Sequence, residues 1–279
     1  MLIYEIIKAI ILGIVEGITE WLPVSSTGHM ILLDEFIHLD VSDEFMSMFL
    51  VVIQLGAILA VPVLFWDKLN PISRKKSNAE RKVILQIWGK VLVGSIPAAL
   101  LGFLLDDLLD KYLYNYIVVA IALIVYGIIF IFKGKSRAEH KYRVESLETL
   151  TYKDALKIGA FQSLSLIPGT SRSGSTILGG MLIGASREAS AEFSFFMAIP
   201  VMLGASLLKI AKFLISGFVA TAEEILLLLF GIAVSFIVSL AVIGFLMDYV
   251  KKHSFRVFGI YRVLLGITVL LYFLFKTFV

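Results

Sequence analysis

Five apolar runs long enough to cross a bilayer, at 45–66, 83–105, 113–132, 225–247 and 258–278, constrain this chain more than any other feature. A hydrocarbon core of about 30 Å takes roughly 20 helical residues to span, and a lipid-exposed backbone must satisfy its own hydrogen bonds. A sixth run, 193–215, carries Lys209 and Lys212 near its far end, where long stems can reach the interface. The 279 residues are 59% hydrophobic and 17% charged, more apolar side chain than a water-soluble core of this size can hold. The expectation is an all-α polytopic membrane protein with six transmembrane helices. The chain has no cysteine, which excludes disulfides, thiolate nucleophiles and Cys-ligated metals. Its first twenty residues hold Glu5, Lys8, Glu16 and Glu20 with no small-residue cleavage site after them, so no removable signal peptide is expected.

Charge divides the connecting segments into two kinds. Segment 67–82 holds Lys68, Arg74, Lys75, Lys76, Arg81 and Lys82; segment 133–157 holds Lys133, Lys135, Arg137, Lys141, Arg143, Lys153 and Lys157; segment 248–257 holds Lys251, Lys252 and Arg256. The positive-inside rule places these in the cytoplasm. Segments 34–44, 106–115 and 216–224 contain one basic residue, Lys111, and are expected outside. Residues 1–40 must then begin and end outside, and residues 158–190 inside. Each stretch is broken at its middle by a polar turn, LPVSSTGH at 22–29 and IPGTSRSG at 167–174, so two re-entrant helix hairpins are expected.

Self-similarity points to duplication within a single membrane domain, 1–279. Pro23-Val24-Ser25-Ser26 resembles Pro168-Gly169-Thr170-Ser171, and Ser42, Glu44, Phe45, Leu55, Gly56 and Ala57 recur as Ser190, Glu192, Phe193, Leu203, Gly204 and Ala205. Repeat 1 is expected at about 1–132, a cytoplasmic loop at 133–157 and repeat 2 at about 158–279. An odd number of crossings per half makes the second copy inverted, the plan in which broken elements meet near the midplane.

The hairpins hold the polar residues that could do chemistry. Glu16 and Glu20 lie four apart on one helical face, where an unpaired carboxylate costs several kcal/mol in hydrocarbon. They could answer a buried arginine, bind a metal or serve as acid and base. Ser25, Ser26, Thr27, Gly28 and His29 follow, the materials of an activated nucleophile or, more plainly, of a helix cap. In the second hairpin Arg172 stands within Thr170-Ser171-Arg172-Ser173-Gly174 ahead of a helix rich in small residues, a natural anion site. The Walker spacing and its lysine are missing, so a nucleotide is not implied. Gly13, Gly17, Gly174, Gly179, Gly180 and Gly184 read as close helix approaches. Gln54 and a pair at the outer face, Glu44 and Glu192, read as structural. His38, His140 and His253 read as solvated bystanders.

The run from Glu16 through His29, together with 168–174 and Glu192-Phe193-Ser194-Phe195, resembles the signature motifs of the bacterial undecaprenyl-diphosphate phosphatase (bacitracin-resistance) family over essentially the whole chain. The resemblance implies hydrolysis of undecaprenyl diphosphate to the monophosphate and inorganic phosphate, which recycles the lipid carrier of cell-wall synthesis and confers bacitracin resistance. It implies Glu20, Ser26, His29 and Arg172 as catalytic residues, with Ser25, Thr27, Thr170, Ser171, Ser173 and Gly174 in substrate-binding places. A divalent cation, Mg2+ or Ca2+, is expected on Glu16 and Glu20. The expected location is the bacterial inner (plasma) membrane, with the site opening to the outer face. Expected partners are the lipid diphosphate, membrane lipids and a second copy of the chain, with no nucleic acid.

Three routes stay open for the nucleophile: Ser26 with His29 as its base, His29 itself, or water. A transporter of polyprenyl phosphate is the rival reading, since an inverted repeat suits alternating access.

Overall fold

A computed structural model of the chain describes residues 2–113, 115–134 and 142–278, without the side chains of residues 106, 107, 110, 277 and 278. Lys135, Arg137, His140 and Lys141 lie outside the described residues. Most of what is described is helical: α1 Leu2–Thr19, α2 Ser26–Asp34, α3 Asp43–Val52, α4 Gln54–Leu64, α5 Trp66–Leu69, α6 Asn78–Leu113, α7 Tyr116–Lys133, α8 Tyr152–Ser163, α9 Arg172–Leu182, α10 Arg187–Ile215, α11 Ala222–Lys252 and α12 Arg256–Phe278. No strand occurs among the described residues, only a single bridge between Val144 and Ala185.

Among the described residues six helical stretches are long and apolar enough to span a membrane: Asp43–Leu64, which joins α3 and α4, Asn78–Leu105, Tyr116–Lys133, Arg187–Ile215, Ala222–Lys252 and Arg256–Lys276. The chain is an all-α polytopic membrane protein. Most of these helices run past the apolar segments that announce them. α6 continues to Leu113, so much of segment 106–115, read above as a loop, is helix. Hydropathy marks where lipid ends, whereas a helix continues until a cap or a breaker stops it. α11 begins at such a signal: Thr221 caps it and Glu224 reaches back to the Thr221 backbone, a reciprocal capping box.

The packing is reciprocal. α1 lies along α11 while α8 lies along α6, and α7 and α12 pair with each other. Close approach of α1 to α11 depends on Gly13 and Gly17, where a Cβ would sit 2.8 Å from the carbonyl oxygens of Gly231 and Ser235. Gly184 has a different job from the one expected of it. Its φ of +90° makes a turn after α9, and its carbonyl accepts from the Arg143 and Val144 amides.

Residues 142–151 are bound to α6, to α8 and to the turn after α9. Arg143 forks onto Asp154 at 2.6 and 3.1 Å, and Lys90 donates to the Leu147 and Glu148 carbonyls. Glu192 corrects the expectation that it shares the outer face with Glu44. It pairs with Lys68 at 2.7 Å near the start of α10, whereas Glu44 lines a cleft with Lys209 and Lys212 near that helix's end. Seventeen helical residues between Glu192 and Lys209 amount to about 25 Å.

Candidate active site between two helix tips

Two helices begin at matching turns. α1 stops before Pro23 and α2 starts at Ser26; α8 and a short 3-10 turn, Leu164–Leu166, stop before Pro168, and α9 starts at Arg172. The residues before these starts, Ser25 and Ser171, have φ of 74° and 71° and are the only non-glycine residues with positive φ among those described. Such a backbone costs about 1–3 kcal/mol in a residue with a Cβ and persists only where its surroundings hold it. Each serine also caps its helix, Ser25 accepting from the Gly28 amide at 3.3 Å and Ser171 from the Gly174 amide at 3.1 Å. The equivalence is thus Ser25 with Ser171 and Ser26 with Arg172. The sequence comparison, which set Ser26 against Ser171, was out of register by one residue.

The tips meet. Arg172 Nε donates to Glu20 Oε1 at 3.2 Å, and both side chains are less than one tenth exposed. Ser173 Oγ donates to the Glu20 and Leu22 carbonyls at 3.0 and 3.1 Å. Arg172 also donates from Nη1 to the Ser194 carbonyl at 2.9 Å, and its guanidinium lies 5.6 Å from the Trp21 ring. Its Nη2 is buried and has no hydrogen-bond partner. A charged donor left unpaired in a dry interior is expensive unless a ligand takes it. Glu16 Oε1 and Thr170 Oγ1 are likewise buried and unpartnered, an acceptor and a hydroxyl in the same tip region.

Ser26 Oγ donates to Glu20 Oε2 at 2.9 Å. The carboxylate therefore links Ser26 on one side to Arg172 on the other. His29 is turned elsewhere, with Nδ1 2.7 Å from the Ser25 carbonyl and Nε2 2.6 Å from the Tyr261 hydroxyl. The pairing of Ser26 with His29 considered from sequence is not the one in the structure, because the ring folds back over its own helix start. Thr27 is partly exposed beside Ser26. The first-turn amides of α9 have no partner within the helix, and Ser171 takes only that of Gly174, so Arg172 and Ser173 can offer theirs to an anion.

Sequence reasoning missed the residue that holds the tips in register. Arg262 on α12 is fully buried and donates to the Pro23 carbonyl at 3.2 Å, the Gly169 carbonyl at 2.8 Å and the Thr170 carbonyl at 3.0 Å. One guanidinium fork thereby ties both turns together. The signal was present: an arginine within an apolar spanning run is rarely incidental.

The two carboxylates offer part of a cation site. Glu16 has an unused buried oxygen and stands one turn from Glu20, yet no group of three or more acidic, His or Cys ligands exists among the described residues. Mg2+ bound through one or two carboxylates, with water and phosphate oxygens completing its shell, suits such a set.

Known proteins resemble the chain along nearly its full length. The family profile described as Bacitracin resistance protein BacA matches residues 9–268. A protein of Acetivibrio thermocellus named undecaprenyl-diphosphatase is 57% identical over 97% of this chain and 98% of its own. One of Enterococcus faecalis with the same name is 57% identical over 99% and 100%. Undecaprenyl-diphosphatase 1 of Clostridioides difficile is 58% identical over 96% of each.

Proposed function

This chain belongs to the bacitracin-resistance BacA family, and on that premise we propose that the meeting point of its two tips is where it hydrolyses undecaprenyl diphosphate. The products are undecaprenyl phosphate and inorganic phosphate. The observation that carries the site is the chain of contacts from Ser26 through Glu20 to Arg172, beside buried polar atoms that lack partners.

Phosphoryl transfer needs an in-line nucleophile and compensation for charge on the equatorial oxygens. Arg172 Nη2 and the amides at the start of α9 bind the terminal phosphate. Ser26 attacks phosphorus as Glu20 takes its proton; the Ser26–phosphorus bond forms and the bridging phosphorus–oxygen bond breaks, releasing the lipid monophosphate. Water then hydrolyses the phosphoserine: Glu20 returns its proton to Ser26 as the Ser26–phosphorus bond breaks, takes one from the attacking water and releases it to solvent, and inorganic phosphate leaves. Ser25, Thr27, Thr170, Ser171, Ser173 and Gly174 shape the pocket around these oxygens. Glu16 and Glu20 would hold a divalent cation, Mg2+ or Ca2+, which when bound neutralises charge on the diphosphate. The isoprenoid lies along the apolar helices.

We read 2–133 and 152–278 as inverted copies entering from opposite faces, with the basic segments in the cytoplasm and the site open to the outer side of the bacterial inner membrane. The reciprocal packing of α1 on α11 and α8 on α6, and the matched tips, support that reading. Purified protein in detergent should release phosphate from undecaprenyl diphosphate without any vesicle, and should yield a phosphoenzyme at Ser26. Ser26→Ala retaining more than about a tenth of kcat would contradict Ser26 as nucleophile, since covalent catalysts lose orders of magnitude on such truncation.

A further inference from the structure

His29 is held at both ring nitrogens, and the two partners are of different kinds. The Ser25 carbonyl, 2.7 Å from Nδ1, can only accept, so Nδ1 carries a hydrogen. In the neutral ring Nε2 is then the bare acceptor, and the Tyr261 hydroxyl at 2.6 Å donates to it. Helices α3, α8, α10 and α11 are all capped by a residue whose carbonyl accepts the amide four residues on, and in α9 the Ser171 carbonyl takes the Ser175 amide at 2.9 Å. In α2 the Ser25 carbonyl instead receives the His29 ring. The left-handed turn at Ser25 thus serves a second purpose at the first tip.

Tyr261 suits the outer nitrogen as no donor-only or acceptor-only side chain would. A phenol hydroxyl both donates and accepts, so it can donate to bare Nε2 and accept from protonated Nε2. The imidazole can gain or lose a proton there without losing its partner or rotating. The rings are stacked, 5.5 Å between centroids and 8° between planes, which fixes the imidazole plane as well. Tyr261 is 44% exposed, so the pair sits at the margin of the packed tips. Arg262, the next residue on α12, ties the same element to Pro23 and to Gly169 and Thr170.

We infer that Tyr261 is a positioning residue for the hydrolysis, presenting the Nε2 of His29 in one orientation through both of its proton states, while the Ser25 carbonyl sets the Nδ1–H tautomer. The inference rests on the proposed function and on the place in its site that the family resemblance implies for His29. Tyr261 acts through His29, and its hydroxyl is the part that matters.

The test uses the intact protein in detergent, Tyr261→Phe, which keeps the stacked ring and deletes the hydroxyl, and imidazole 15N spectra of histidine-labelled protein. Of the chain's four histidines, His29 is assigned by the signal lost in His29→Gln. Wild-type His29 should show the Nδ1–H tautomer, and Tyr261→Phe should keep it while the Nε2 signal moves toward that of an imidazole nitrogen without a hydrogen bond. Phosphate release by Tyr261→Phe should fall about 5- to 20-fold in kcat with KM within about twofold, the scale of one lost hydrogen bond. Adding Tyr261→Phe to His29→Gln should change kcat no further. An unmoved Nε2 signal, or an equal kcat loss in both backgrounds, overturns the inference while leaving the parent reading in place. A wild-type protein that releases no phosphate overturns the parent reading and the inference together.

Discussion

Ser25 and Ser171 turn their tips through the same left-handed backbone and cap a glycine three residues on, yet the next residue is a serine in one tip and an arginine in the other. The first tip also carries Glu20 before its turn and His29 after it, where the second has Leu166 and Ser175. Matched scaffolds with opposite charge bring a carboxylate and a guanidinium to within 3.2 Å. The strained turns are retained in both, but only their differing side chains make a site. A charged pair less than one tenth exposed is weak evidence for stability and better evidence for function, since apolar replacements often stabilise as well.

The comparison breaks most sharply at Arg172. Arg172→Gln should lower phosphate release by about 100- to 1000-fold, as for the loss of one donor aimed at developing charge, while Ser175→Ala at the second tip's counterpart of His29 should stay within about threefold. Steady-state phosphate assays on both variants distinguish cargo from scaffold. Arg262 serves both tips, so its removal should not discriminate between them. Arg262→Met strands three buried carbonyls and should destabilise by about 2–3 kcal/mol, read as a fall in the unfolding midpoint in detergent.

Smaller effects test the equivalence of the turns. Ser25→Ala and Ser171→Ala lose a cap and keep the strain, costing about 1 kcal/mol each. The corresponding glycine variants relieve the strain and should lie within about 0.5 kcal/mol of wild type. A difference above about 1 kcal/mol between the two serines would show that the turns are not equivalent. The least effect on catalysis is expected at Asp154, at the far end of α8. Burial disfavours its charge, but hydrogen bonds from Arg143 and Thr151 outweigh that and hold its pKa at about 2. A carboxyl lowered in the folded state stabilises above its ordinary value near 3.8 and loses that contribution as pH falls from about 4 to 2. Asp154→Asn should therefore lose stability at neutral pH and flatten the acid limb of the unfolding midpoint, with kcat at neutral pH unchanged.

The spanning helices were legible because twenty apolar residues leave few alternatives in lipid, and Glu16, Glu20, Ser26 and Arg172 because polar residues at a helix break in such a chain are conspicuous. What could not be read was spatial. Pro23 and Pro168 suggested a register that the caps displace by one, since a proline marks a boundary while the cap fixes the first turn. The partner of Ser26 depended on α1 folding back on α2, which brings Glu20 to it and leaves His29 to Tyr261. Tyr261 and Arg262 sit 232 and 239 residues from His29 and Pro23, inside a run whose hydropathy conceals them.

The central claim is that the two tips touch inside the folded protein, and the chain's lack of cysteine allows it to be tested without reference to activity. Glu20 Oε1 lies 3.2 Å from Arg172 Nε, so Glu20→Cys with Arg172→Cys should be joined by the shortest bifunctional methanethiosulfonate in native membranes. The account predicts near-complete bridging of that pair and none between Glu20→Cys and a cysteine at Phe218. Failure of the tip pair to bridge, with both thiols shown to be reactive, would contradict it.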